Sequence, residues 1–172
     1  LERLRQAAEL SEFYYQKPLL LTYSGGKDSE VCLELAKRAG ISFEAVHSLT
    51  TADAPETVRH VRKKFRELEL DGVHCEIIRP RYKGHVASMW NLIPQKFTPP
   101  TRGVRYCCQV LKEGITPHRM VVIGVRRDES AKRRSCAVAE PHSKTKPSRA
   151  KVGFADGDER IIAPCQTKAE IK

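Results

Sequence analysis

Between Leu19 and Ala39 the chain runs from an apolar strand straight into a polar, glycine-rich turn and out again into a helix. The strand is Leu19-Leu20-Leu21-Thr22-Tyr23, the turn is Ser24-Gly25-Gly26-Lys27-Asp28-Ser29, and the helical pattern extends from about Asp28 to Ala39. A strand feeding directly into a helix commits this region to α/β packing. Two glycines let the backbone come close to an anion, because no Cβ stands in the way. The first N–H groups of a helix have no intrahelical partner and point at such an anion, where the helix dipole favours negative charge. Lys27 adds a mobile positive charge, and Ser24 and Ser29 add hydroxyl donors. The spacing does not fit G-x-x-x-x-G-K-S/T, the loop of the common nucleotide triphosphatases. The turn is read as a phosphate cradle of another kind, with a plain Gly-rich strand–helix turn as the structural alternative.

The remaining pattern keeps alternating. Residues 1–16 carry Leu1, Leu4, Ala7, Ala8, Leu10 and Tyr14 at helical spacing, and Pro18 ends that helix. In the helix after the turn, Val31, Leu33, Leu35 and Ala36 are apolar and Gly40 is a natural stop. Ile41–Leu49 reads as a second strand, followed by Thr50-Thr51-Ala52-Asp53-Ala54-Pro55-Glu56-Thr57 and an amphipathic helix from Val58 to Leu70. Asp71-Gly72 turns the chain into a third strand, Val73–Ile78, and residues 85–93 read as a short helix. A Pro-rich loop leads to Arg105-Tyr106-Cys107-Cys108-Gln109-Val110-Leu111-Lys112, helical at its end. Met120–Val125 is a fourth, continuously apolar strand, as a parallel strand buried on both faces should be. Gly124-Val125-Arg126-Arg127-Asp128-Glu129-Ser130 follows it, then a polar stretch read as a flexible loop over 136–160, then a short strand at Arg160–Pro164. The expected fold is three-layer α/β, doubly wound on a mainly parallel sheet. Three polar motifs, at 24–29, 50–57 and 124–130, each follow a strand directly, so all three are expected at one sheet edge, where such folds bind ligands.

Charge and cysteine usage narrow the chemistry. Of the net charge of +10, nearly all comes from residues 101–151, which hold 13 Lys+Arg against 4 Asp+Glu. Such a block serves a highly anionic small ligand, a nucleic-acid backbone or both, or is simply a solvated basic loop. No apolar run approaches the roughly 18–20 residues that span a membrane, and the amino terminus lacks a secretory apolar core, so the expected location is cytoplasmic. In that compartment six cysteines point to metal or redox chemistry rather than disulfides. Cys32 and Cys75 fall in a helix and a strand and read as core residues, leaving Cys107, Cys108, Cys136 and Cys165 to be explained.

Four motifs in order resemble one family. Ser24–Ser29 matches the SGGKDS pyrophosphate loop of the PP-loop ATP pyrophosphatases, and Pro55, Glu56 and Thr57 fit the end of a T-G-x-x-F-P-E-T segment. Arg105–Lys112 matches R-Y-C-C-x-x-L-K, and Gly124–Ser130 with Arg133 is similar to G-x-R-x-x-E-S-x-x-R. The chain thus resembles the phosphoadenosine phosphosulfate (PAPS) reductase family, within the adenine nucleotide alpha hydrolase-like superfamily that includes the DNA phosphorothioation ATP pyrophosphatases. The resemblance implies one nucleotide-binding domain over residues 1–172. ATP or a PAPS- or APS-type nucleotide would lie with its phosphates over Ser24–Ser29, contacted by Thr51, Arg126 and Arg133. Lys27 and Lys112 would supply charge, Asp28 would hold Mg²⁺ or fix the loop, and Asp53 and Glu56 would orient ribose or a metal-bound water or else cap the following helix.

Cluster-bearing members of the family carry a 4Fe–4S centre, for which Cys107 and Cys108 are the first candidates and Cys165 and Cys136 the weaker ones; a core cysteine pair is the alternative. Neither a downstream C-x-x-C nor an E-C-G-L-H tail occurs in these residues. With no Met at its start, the chain is expected to be part of a longer protein, cut short at the C-terminus. The implied activity is in sulfur metabolism, as a sulfonucleotide reductase served by a thioredoxin-like thiol donor or as an ATP pyrophosphatase served by a cysteine desulfurase. A non-catalytic nucleotide-sensing or nucleic-acid-binding subunit of a larger complex, using the basic 101–151 region, is the alternative.

Overall fold

The four apolar runs expected as strands are strands, each shorter than its apolar run, and the helices between them bury one stripe each. The computed structural model describes residues 1–113 and 119–124. Its elements are α1 (Glu2–Tyr15), β1 (Leu19–Thr22), α2 (Lys27–Ala39), β2 (Phe43–Ser48), α3 (Pro55–Leu70), β3 (Cys75–Ile78), β4 (Arg81–Tyr82), β5 (His85–Val86), α4 (Met89–Lys96), α5 (Tyr106–Cys108) with a π-helical turn over Gln109–Glu113, and β6 (Val121–Val122). One sheet has the order β3-β2-β1-β6, with β1–β6 and β2–β3 pairing parallel, and a separate hairpin pairs β4 with β5 antiparallel. Flanked by helices, the sheet is the expected three-layer α/β fold. Its order reverses at β1, which has β2 on one side and β6 on the other. Open α/β sheets bind ligands beyond the carboxyl ends of the strands at such a switch point. Among the described residues no helix is long and apolar enough to cross a membrane.

The described residues fall into two compact units. The first holds Leu1–Thr22, Gly26–Glu44 and residues 119–124. There α2 buries Ser29, Leu33, Ala36 and Ala39, a 3–4 residue spacing, and ends at Gly40 with φ 66. Val31 and Leu35, expected on the apolar face, are exposed. Register in the β1–β6 pair is Leu20 with Val121 and Leu21 with Val122. Arg119 ties the base of this unit together by donating to Glu44 Oε2 and to the Pro18 carbonyl, both at 2.8 Å.

The second unit holds Tyr23–Gly25 and the residues from Ala45 onward to the end of the π-turn. Pro55 occupies the first turn of α3, where its missing N–H is not needed, and Val61, Phe65 and Leu68 form the buried stripe. The expected helix over residues 85–93 is corrected. His85–Val86 is a strand, because Lys83 and Gly84 both take positive φ (49 and 85) and fold β4 back on β5. Helix α4 starts only after Ser88, whose hydroxyl accepts from Asn91 N while Asn91 Oδ1 accepts from Ser88 N. A local core of Ala87, Leu92, Tyr106 and Leu111 holds the hairpin, α4 and α5 together. The expected loop at 136–160 and strand at Arg160–Pro164 lie outside the described residues.

Candidate functional site

The glycine turn begins at a residue gripped on several sides. Tyr23 is 2% exposed, and its N–H donates to the Val46 carbonyl at 2.8 Å. Its hydroxyl is 3.0 Å from His60 Nε2, and its ring leans on Phe65 with centroids 5.8 Å apart. Its carbonyl accepts from His47 Nδ1 at 2.8 Å, which assigns the proton of that ring to Nδ1. Buried His47 keeps an Nε2 with no partner among the described residues. Neither histidine stood out in the sequence; the signal available for His47 was its place directly after Ala45-Val46 in β2.

From there each end of the turn packs within its own unit. Gly25 takes φ +79, and a Cβ on it would lie 3.1 Å from Thr57 Cγ2 and 3.2 Å from Val61 Cγ2. That contact joins the turn to the start of α3 within the second unit. Gly26 caps α2 in extended conformation, and Ser29, 5% exposed, donates its hydroxyl to the Gly26 carbonyl at 2.7 Å. Ser29 therefore closes the turn from inside, while Ser24 and Lys27 stand exposed on it. Within the first unit Gly124, just beyond β6, approaches Asp28 so closely that a Cβ there would sit 3.1 Å from the Asp28 carbonyl carbon and oxygen. The parallel β1–β6 pair causes this approach, because it puts both carboxyl ends at one edge.

The 50–57 segment is closed on itself. Asp53 Oδ2 accepts from Thr50 N at 3.1 Å and from Thr50 Oγ1 at 2.6 Å. The cap residue of α3 is Ala54 and makes no side-chain cap bond, so Asp53 shapes the loop rather than capping the helix. Thr51 has φ 63, a strained position for a β-branched residue. Its hydroxyl donates to the Thr50 carbonyl at 2.6 Å and accepts from Met89 N at 3.0 Å, fastening this loop to the start of α4. Glu56 is exposed in the first turn of α3.

Cys107 and Cys108 lie half-buried on α5, with Cys107 against the local core. Arg105 Nη2 donates to Cys108 Sγ at 3.3 Å, and Lys112 is exposed one turn on. An iron–sulfur cluster of the four-iron type takes four thiolates. Among the described residues these two stand alone, since Cys32 is on α2 and Cys75 on β3, and no three His, Cys, Asp or Glu gather as a metal site. Arg126, Arg133, Cys136 and Cys165 lie outside the described residues. Burial, with Asp28 adding to it, pushes the Cys32 thiol up; burial, then Glu69, pushes Cys75 up to about 11. Both are half-buried thiols held in the protonated form. At pH 8 about one Cys75 in a thousand is thiolate, the reactive form. Iodoacetamide should therefore leave Cys75 unlabelled at pH 8 and reach it only as the pH nears 11, read by mass spectrometry of its peptide. Labelling at pH 8 as fast as in a short cysteine peptide would refute the shielded setting.

Gly25 is thus packed on α3 in the second unit and Gly124 on Asp28 in the first, and Lys27 stands exposed at the start of α2. The family model of the phosphoadenosine phosphosulfate reductase domain matches residues 18–153. No curated protein matches the chain.

Proposed function

The chain belongs to the phosphoadenosine phosphosulfate reductase domain family, and on that premise we propose that it is an adenine-nucleotide enzyme of sulfur metabolism that splits ATP between the α- and β-phosphates to activate an acceptor. The observation that carries this reading is the Ser24–Ser29 turn. It has Gly25 at φ +79 against Thr57 and Val61, a glycine cap without a side chain, and Lys27 as the first residue of α2. That shape suits a pyrophosphate group: backbone at close approach, a helix N-terminus and a point charge.

In the reaction an acceptor oxygen attacks the α-phosphorus, the bond from that phosphorus to the bridging oxygen breaks, and pyrophosphate leaves with the electron pair. Lys27 and the amides of the turn balance the charge that gathers on the leaving group, the largest usual contribution in such steps. Asp28 would hold Mg²⁺, which supplies charge neutralisation at the phosphate oxygens; one carboxylate plus phosphates is an ordinary set for that ion. Asp53 keeps the 50–53 loop closed; on the family premise Thr51 and Glu56 contact the nucleotide, and Lys112, Arg126 and Arg133 are the further cations. A cysteine desulfurase would be the source of sulfur for the activated acceptor.

A second reading rests on the Arg105–Cys108 contact, which puts a cationic donor on a half-buried sulfur, a setting that suits a nucleophilic cysteine. There the Cys108 thiolate attacks the sulfate sulfur of a sulfonucleotide, the sulfur–oxygen bond to the phosphate breaks, and the nucleotide leaves. A thioredoxin-like dithiol then attacks the cysteine sulfur, becomes a disulfide and releases sulfite.

Incubation of the protein with labelled ATP, Mg²⁺ and candidate acceptors separates the two. Pyrophosphate appears in the first case, and sulfite from PAPS or APS with a dithiol in the second. Tight ATP binding with no pyrophosphate from any acceptor would sink the first reading. Lys27→Ala should weaken ATP binding by about 1–3 kcal/mol in calorimetry, the loss of a charged hydrogen-bond donor. Unchanged affinity would mean that the phosphates bind elsewhere.

A further inference from the structure

We propose that the β4–β5 hairpin, α4 and the loop that follows form a binding surface for single-stranded nucleic acid. Residues 79–112 contain seven Lys+Arg and no Asp or Glu. Arg81, Lys83 and Arg102 are exposed. The same stretch of sequence carries large apolar side chains open to water: Trp90 at 71% and Phe97 at 95% exposure, with Val86 at 50% and Val104 at 55%. Trp90 lies in the first turn of α4 and Phe97 is the residue that ends it. Phe97 adopts φ 57 at the helix end, a costly backbone for an aromatic residue.

Packing does not account for these exposed rings. Beneath them the platform is complete without their help, through Ala87, Leu92, Tyr106 and Leu111. Lys96 Nζ donates to Tyr82 OH at 2.8 Å, Asn91 Nδ2 to the Val86 carbonyl at 2.8 Å, and Tyr106 OH to the Thr98 carbonyl at 2.7 Å. Exposed aromatics in a stretch of sequence that carries cations and no acid are what a single strand requires: rings for the base faces and charge for the backbone. A duplex hides its base faces and would leave both rings unused. An apolar protein partner would leave the cations unused. This surface is independent of the nucleotide reading above, and either can fail alone.

Trp90 is the single tryptophan of the chain, so its fluorescence reports this surface directly. Titration of the protein with a twelve-nucleotide oligo-dT or oligo-rU should quench that fluorescence, with affinity dropping steeply between 50 and 200 mM salt. Phe97→Ala should bind about 5–150-fold more weakly with its circular dichroism unchanged, the loss of one stacked base. Arg81→Ala with Lys83→Ala should flatten the salt slope by about 0.7 per phosphate contact removed. Saturating MgATP should leave the quench in place. The proposal is overturned by any of four results: no quench by either oligonucleotide, Phe97→Ala binding like the parent, quench abolished by MgATP, or preference for a duplex of equal length. Quench by anionic vesicles without quench by oligonucleotides would assign the face to a membrane surface instead.

Discussion

Phe65→Ala is expected to lower the unfolding free energy by about 3–5 kcal/mol, the cost of emptying a buried aromatic site that its neighbours refill only in part. Phe65 is 4% exposed in the buried stripe of α3, and the Tyr23 ring rests on it. Urea denaturation checks the stability, with Phe65→Leu losing much less because it retains most of the volume. ATP affinity should fall with the first variant as well. Tyr23 is the residue immediately before the Ser24–Ser29 turn, and without its wall it can leave His60 and His47. A loss below about 1 kcal/mol would mean that the site collapses around the missing ring or that Phe65 is not core.

Gly25→Ala should cost about 2–5 kcal/mol, from two sources that a control variant separates. A residue with a Cβ pays about 1–2 kcal/mol to hold a left-handed backbone, and overpacking against Thr57 and Val61 adds about 1–3 kcal/mol. Gly40 takes a similar backbone, φ +66, yet a Cβ there would meet nothing within 4 Å. Gly40→Ala therefore carries the first cost alone, and the difference between the two variants in urea denaturation measures the steric part. ATP binding should drop with Gly25→Ala and not with Gly40→Ala, because only the former moves the turn. Equal losses of stability in the two variants would refute the packing of the turn on α3.

Much of this could be read from local pattern. The strand–turn–helix at Leu19–Ala39, the stop at Gly40, the proline start of α3 at Pro55 and the reversal at Asp71-Gly72 all follow from short-range chemistry. Other features did not show. Residues 85–93 read as a short helix carrying Met89, Trp90, Leu92 and Ile93, but Lys83 and Gly84 turned the chain first. Val31 and Leu35 are apolar yet exposed, since which stripe of α2 is buried is set by what it packs on, not by hydropathy. Asp53 read either as a ribose- or water-orienting acid or as a helix cap; it makes no cap bond and closes its own loop through Thr50.

By itself the sequence determined that the Leu19–Ser29 stretch makes a strand and a glycine turn, because an apolar run buries as a strand and a glycine pair lets the chain take the positive φ that turns it. What only the tertiary structure decided is which distant residues that turn meets. Gly25 lies against Thr57 and Val61, and Gly124 lies against Asp28. The physical reason is range: propensity and periodicity act over a few residues, whereas the order β3-β2-β1-β6 is settled by burial across the whole sheet, and that order brings β6 beside β1 from 100 residues away.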